Sequence, residues 1–528
     1  MPTAEVKAMP TLPMECVDSG RSAPKPSAPS SHVEALKSSS IIGGSTVIVM
    51  LIRMVRTKVL ALLLGPAGIG LEALYDSAVN LCRTFFDFGI TSSGVRQIAA
   101  AVGTGSDEVI ARTTLTLRRV CLVLGVAGAA TVFLARESIS LATFGKADHA
   151  ADIGVLSIIL LFGAVVGGQG AMLQGMRRIA DLAKVNIFGA LAGAAASIPI
   201  VWVWGLAGIP AYMVITAGVG ALVSWVYARR VHIRAVTVSL RQSYEEASSL
   251  LRLGVAFLAS SLMATGTLFL LRVMATRMEG VIGAGQFQAA SALSMVYVGF
   301  ILQAMGTDFY PRLTAVASDN QRCNQLVNEQ AEISLLLALP GILGTLALAP
   351  WVILLFYSSK FDQAATILSW QVAGMCLRVI SWPMGFILVA KGRGTLFVLT
   401  DAAAWTVYLG LAWLGLKWFG LPGMGMAFLA LYVFHVILVY VVVHSVSGFR
   451  WAQVNVRLGA ASMLAIAAAL ASRLLLPEPW GSLIGCLLAL AAGLFCLRAL
   501  VRIAGPERIN RVLNKFHIPL SLPVPPGT

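Results

Sequence analysis

SSSIIGGSTVIVMLIRMVRTKVLALLLGPAGIGLEALYDSAVNLCRTFFDFG, residues 38–89, holds two apolar runs joined by a Gly-Pro turn at 65–70. Each run is long enough for a helix to cross a bilayer, which takes about 20 residues. The second carries Glu72, Asp76, Asn80, Arg83 and Asp87, continued by Thr91, at spacings of 4, 4, 3, 4 and 4. At about 100° per residue these six fall within an arc of roughly 100°, one polar stripe along a helix. The first run repeats the device with Ser38, Ser45, Arg53 and Arg56, inside about 80°. Charge at membrane depth is expensive, so the two stripes must face a wet cavity or each other. Two readings are open: a structural lattice pairing Arg53 or Arg56 with Asp76 or Asp87, and the lining of a chamber.

The rest of the chain extends this pattern. Of 528 residues 58% are apolar and 12% charged, with a mean hydropathy of +0.82, whereas a soluble domain is about 25% charged. A cytosolic enzyme and a single-span receptor are excluded, and the period-two alternation of an outer-membrane barrel is missing. Fourteen spans are expected between residues 38 and 502, from which the sequence predicts an all-α polytopic bundle. Its 50 glycines suit close helix packing in lipid. The net charge of +15 comes from Lys and Arg grouped between apolar runs, the positive-inside signature rather than a nucleic-acid footprint. Their bias puts both termini in the cytoplasm, with the 66–70 turn and the 357–363 loop outside. The seven cysteines and six histidines show no metal-ligand or redox spacing, so no metal or cofactor is expected. GPAGIG joins two spans with no strand before it, so a tight turn is expected and not a phosphate loop.

An internal repeat runs at an offset of 215 residues. Gly65, Gly68 and Gly70 correspond to Gly280, Gly283 and Gly285, the motif GLAGI at 205–209 corresponds to GLPGM at 420–424, and Arg178 corresponds to Arg393. Each copy holds six spans, an even number, so the copies share one orientation and should be related by a pseudo-two-fold axis along the membrane normal. The expected organisation is a disordered Pro- and Ser-rich cytoplasmic tail at 1–36, an N-lobe at 37–230, a cytoplasmic linker at 231–250, a C-lobe at 251–446, two further spans at 447–503, and a cytoplasmic tail at 504–528.

The intramembrane charges are biased by sign. Arg53, Arg56, Arg83, Arg272 and Arg378 stand against Asp76, Asp87 and Asp401, with Glu72 near a span end. Guanidinium groups stay protonated and grip phosphate oxygens bidentately, so a chamber lined this way selects an anion, with phosphate or pyrophosphate the natural candidate. The five arginines are the candidate substrate-binding set. Asp76, Asp87 and Asp401 are the candidate charge-pair or coupling carboxylates, able to exchange H+ or Na+. Trp382, one turn from Arg378, is a candidate platform for a sugar ring, and the remaining tryptophans read as an interfacial belt.

IIGGSTVIVMLIRMVRTKVLALLLGPAGIGLEALYDSAVNL, followed by FGITSSGVRQIAA, resembles the polysaccharide transporter branch of the multidrug/oligosaccharidyl-lipid/polysaccharide flippase superfamily. Its likeness is greatest to the O-antigen and enterobacterial common antigen translocases of the Wzx type, over roughly residues 38–445. That resemblance implies two six-helix lobes and flipping of undecaprenyl-pyrophosphate-linked oligosaccharide across a bacterial inner membrane by alternating access. It implies lipid-linked oligosaccharide and membrane lipids as partners, with a polysaccharide polymerase and a chain-length regulator as protein partners. The two extra C-terminal spans look more like the lipid II flippase branch. A multidrug exporter of the same fold is a further alternative, though its cationic cargo would want a chamber of the opposite sign. A membrane-embedded glycosyltransferase or polymerase would want sizeable outer loops, which are minimal here.

Overall fold

The computed structural model describes residues 31–233, 236, 240–477 and 479–505, and all the regular structure among them is helical. Residues 1–30 and 506–528 of the expected tails, and part of the 231–250 linker, lie outside the described residues, whereas residues 31–36, expected in the first tail, are the start of α1. The first half comprises α1 (Ser31–Asp87), α2 (Ile90–Gly103), α3 (Asp107–Leu134), α4 (Arg136–Phe144), α5 (Ala150–Leu156), α6 (Ile158–Gly175), α7 (Ile179–Trp204) and α8 (Gly208–Ala228). The second comprises α9 (Leu240–Ala315), α10 (Asn320–Ala347), α11 (Ala349–Phe356), α12 (Asp362–Ala390), α13 (Gly394–Phe419) and α14 (Leu421–Ser447), followed by α15 (Gln453–Leu475) and α16 (Trp480–Ala504).

Among the described residues ten helical stretches are long and apolar enough to cross a membrane, which makes the chain a helical, multi-pass membrane protein. Sequence reading expected fourteen, and the difference has a physical origin. The stretch Ile179–Ala228 contains both α7 and α8, Leu258–Gly299 contains the Gly280 bend, and no stretch of α1 is among the ten.

α1 and α9 each consist of two arms that meet at a glycine, Gly65 (φ 65°, ψ −167°) and Gly280 (φ 76°, ψ 177°). That region of backbone space is essentially closed to residues with a Cβ. The same correspondence recurs elsewhere at the 215-residue offset. Gly205 and Gly420 take φ 55°, ψ −133° and φ 61°, ψ −149°. Arg177 and Gly392 are both left-handed, at φ 57° and 69°. Arg178 N donates to Leu173 O, and Arg393 N to Leu388 O, each at 2.8 Å.

α1 and α9 pack against each other, most closely at Gly70 and Gly285. A Cβ on Gly70 would strike the Val281 carbonyl, and one on Gly285 would strike the Pro66 carbonyl. Pro66 and Val281 are themselves 215 residues apart, so the contact maps onto itself under the repeat. Around this Gly65 face one apolar core spans both halves, joining Leu60, Leu74 and Tyr212 to Leu271, Phe287 and Phe361. Toward the opposite face the core divides: Ile90, Leu117 and Ala171 belong to the first half alone, and Phe309, Val327 and Ile387 to the second. The halves are fused at one face and have separate cores at the other.

α15 is tied to the second half by amides. Asn328 Oδ1 accepts from Ala452 N at 2.8 Å and from Asn455 Nδ2 at 2.9 Å, and α16 packs along α10.

Candidate functional site

The facing arms of α1 and α9 carry most of the intramembrane charge, and the fold gathers it around Asp76. The arms of α1 fold back at Gly65, which brings Arg56 Nη2 to Glu72 Oε1 at 2.7 Å, with about a fifth of each side chain accessible. The same guanidinium stands 5.2 Å over the ring of buried Tyr212. On α9, Arg272 forks onto one acceptor, Gln288 Oε1, from Nε at 3.1 Å and Nη2 at 2.7 Å. This is the equivalent pairing across the Gly280 bend. Asp76 accepts a hydrogen bond from Asn80 and sits in the field of Arg272, Arg56 and Arg83. Asp76 is exposed even though Leu74, Tyr75 and Ser77 beside it are buried.

Arg53 projects into a cavity of about 390 Å³ between the first arm of α1 and the second arm of α9. Thr46, Met50, Thr57, Ala292, Val296 and Tyr357 are among its walls. Arg53 has no hydrogen bond or ion pair among the described residues. Arg83 and Asp87 line a small pocket of about 20 Å³ with Cys121 and Gly163. The Asp87 carboxylate is engaged by the Thr91 hydroxyl at 2.7 Å.

The remaining candidates form a separate group in the second half. Arg378 Nη1 lies 3.0 Å from Met295 Sδ and its guanidinium 5.8 Å from the centre of the Tyr432 ring, with Asp401 in its field. Two buried polar atoms nearby lack a hydrogen-bond partner, His435 Nδ1 and Gln371 Oε1. Trp382 packs edge-on against Phe386 at 4.4 Å and covers Gly306.

The structure thus places Arg56, Arg83 and Arg272 where their charges act on Asp76, sets Arg53 at the cavity between α1 and α9, and leaves Arg378 with Asp401 apart. The lattice reading named the wrong acid for Arg56. Its partner is Glu72, and no ion pair closer than 4 Å holds Asp76 or Asp87 among the described residues. Gln288 is an uncharged residue in an apolar arm and was not among the sequence candidates. Tyr212 carried no signal, being one aromatic in an apolar span.

A helical membrane bundle whose two halves share one apolar core, with charged side chains on the facing arms of α1 and α9, is an architecture of the membrane-transporter type. The family model described as "Polysaccharide biosynthesis protein" matches residues 35–316, over half of the chain, and the protein belongs to that family. The lipid III flippase of Escherichia coli (strain K12) is 23% identical over 401 residues, covering 71% of this chain and 90% of that protein. The protein of that name from Shigella flexneri gives the same figures. Among solved structures, the lipid II flippase MurJ in an inward closed conformation aligns with a TM-score of 0.66 at 13% identity, covering 87% of this chain and 98% of the other. A multidrug resistance MATE family transporter in its inward-facing conformation aligns with a TM-score of 0.60 at 18% identity, covering 74% and 94%. These structural likenesses show the fold alone.

Proposed function

We propose that this protein flips undecaprenyl-pyrophosphate-linked oligosaccharide, an O-antigen or exopolysaccharide repeat unit, across a bacterial inner membrane by alternating access. Residues 37–230 and 251–446 would form two six-helix lobes about a pseudo-two-fold axis at the Gly70–Gly285 contact. α15 and α16 complete fourteen passes, with both termini cytoplasmic and the Gly65 face outside. In that orientation the chain is closed outward. The observation that supports the reading is that Arg56 and Arg272, on the packed helices α1 and α9, together with Arg83, act on one carboxylate, Asp76. A diphosphate placed there would meet forked donors in a low-dielectric setting, where such contacts are strongest. Arg53 would meet it at the adjoining cavity, and Arg378 would hold it from the second lobe. Asp76, within reach of three arginines, is the natural place for H+ or Na+ to exchange as the diphosphate takes over those cations, with Asp401 playing the same part beside Arg378 and Asp87 beside Arg83. A polysaccharide polymerase and a chain-length regulator would act on the delivered unit.

The test is replacement of each arginine. Arg56→Ala, Arg272→Ala and Arg378→Ala should abolish complementation of the missing glycan at near-normal protein levels. Arg→Lys should keep part of it, because an ammonium retains the charge without the fork. Loss of the protein itself in every Arg→Ala variant would indicate a purely structural role. A lipid II-type cargo shares the lipid diphosphate, so mass spectrometry of the lipid-linked sugars accumulating in a deletion strain separates the two. A MATE-like exporter of cationic compounds is disfavoured by the sign of the chamber.

A further inference from the structure

α4 and α11 are short surface helices that occupy the same slot in the two halves. α4 (Arg136–Phe144) follows α3, and α11 (Ala349–Phe356) follows α10. The last carbonyls of a helix have no partner within it and carry the negative end of its dipole. In both helices those carbonyls are held by a cation from the other half. Lys58, on the first arm of α1, donates from Nζ to Leu354 O at 2.7 Å and to Tyr357 O at 2.5 Å. Arg277, on the first arm of α9, donates from Nη2 to Leu141 O at 2.8 Å and to Ala142 O at 2.7 Å. The arrangement is reciprocal: the leading span of each half reaches across to the end of the other half's surface helix. The two cations are not sequence equivalents, since the 215-residue offset takes Lys58 to Val273, one helical turn before Arg277.

The two contacts fall on different edges of the interlobe boundary. Phe356 and Tyr357, at the end of α11, wall the cavity between the first arm of α1 and the second arm of α9, so Lys58 closes that edge. α4 lies against the second arm of α1, where Phe144 packs edge-on to Tyr75 at 5.7 Å, and that arm approaches the first arm of α9 at Leu81 and Gly266. Arg277 closes this other edge. The backbone contact at Gly70 and Gly285 lies at the middle of the same face and acts as a pivot or seal, while the two cations flank it.

We propose that Lys58 and Arg277 are a pair of cross-lobe latches that hold the Gly65 face closed and must release together for that face to open. The inference rests on the alternating-access reading of the function, and it adds two positioning residues that touch no substrate. Because each donor binds main-chain carbonyls, the latches are indifferent to the identity of the accepting side chains. Because they lie on opposite edges, losing one leaves the other to resist parting of the lobes.

Double electron–electron resonance in lipid nanodiscs tests this without any substrate. Spin labels at Ala147→Cys and Ser359→Cys, both exposed and just beyond α4 and α11, would be placed in the full-length chain with its seven native cysteines replaced. The otherwise unaltered protein should give mainly the short distance. Lys58→Met or Arg277→Met should each shift the closed-to-open ratio about tenfold, the scale of losing hydrogen bonds from a charged donor. The double variant should shift it by about the product, since the sites share no partner. Lys58→Arg and Arg277→Lys, which keep charge and donors, should leave the distribution near the original. An unchanged distribution in both single variants, or equal shifts in the neutral and the charge-keeping variants, would overturn the latches. If the carried substrate is not a lipid-linked sugar, these distances still report the latches, so the two proposals fail separately.

Discussion

Arg56 stands nine residues before the Gly65 turn and Glu72 seven after it, so folding the arms of α1 together places them side by side at 2.7 Å. That pairing could be read from the hairpin register, yet helical angle alone directs attention to Asp76 and Asp87, which share the stripe but lie farther from the turn. Angle fixes the face, and only distance from the turn fixes the partner. Removing the acid tests what the pair contributes. In Glu72→Ala the guanidinium keeps a buried Nε without a partner and loses its charged acceptor, so stability should fall by about 1–3 kcal/mol. Glu72→Gln retains an acceptor and should lose less. Thermal unfolding in detergent reads both, and a Glu72→Ala midpoint equal to the original would show that the pair adds nothing. The latching cations were the least legible residues. Their partners are carbonyls, which every residue possesses, so no pattern of side chains announces them.

At the scale of elements, the repeat was legible because glycine is demanded by the backbone and not by packing alone. Gly65 and Gly280, and Gly205 and Gly420, survive as letters because a Cβ would be strained at those angles. Where the first half tolerates the strain, the letters hide the correspondence: Arg177 and Gly392 share a left-handed turn and nothing in side-chain chemistry. The count of spans was harder to read, because α7 and α8 form one apolar stretch and so do the two arms of α9. Crossing of α1 and α9 supplies the next prediction. Gly285→Ala places a methyl group against the Pro66 carbonyl, and Gly70→Ala against that of Val281. Overpacking of this kind costs about 1–3 kcal/mol, and here it acts on one conformation only. Both variants should remain folded while the spin-label distance between residues 147 and 359 lengthens. A short distance retained in both would mean that the glycine contact does not hold the face closed.

For the molecule as a whole, the division of the apolar core into one shared cluster at the Gly65 face and separate clusters beyond it is the structural basis of the alternating-access account. Two bodies that share an apolar core at one face and have separate cores at the other can exchange which face is joined by rocking about the space between them. The cationic balance between them supplies the reason for a diphosphate cargo, and the latches and glycine contact supply the reason for a defined resting state. The direct measurement is translocation in proteoliposomes containing an undecaprenyl-pyrophosphate-linked oligosaccharide with a fluorescent sugar, whose exposure on the far leaflet is read by an impermeant quencher. Protein-dependent transfer should be seen with the unaltered chain. It should be lost with Arg56→Ala and Arg272→Ala, and lost reversibly when a disulfide joins the two lobes across the Gly65 face. Absence of any protein-dependent transfer of the lipid diphosphate, or transfer that persists at full rate with the lobes crosslinked, would contradict the account.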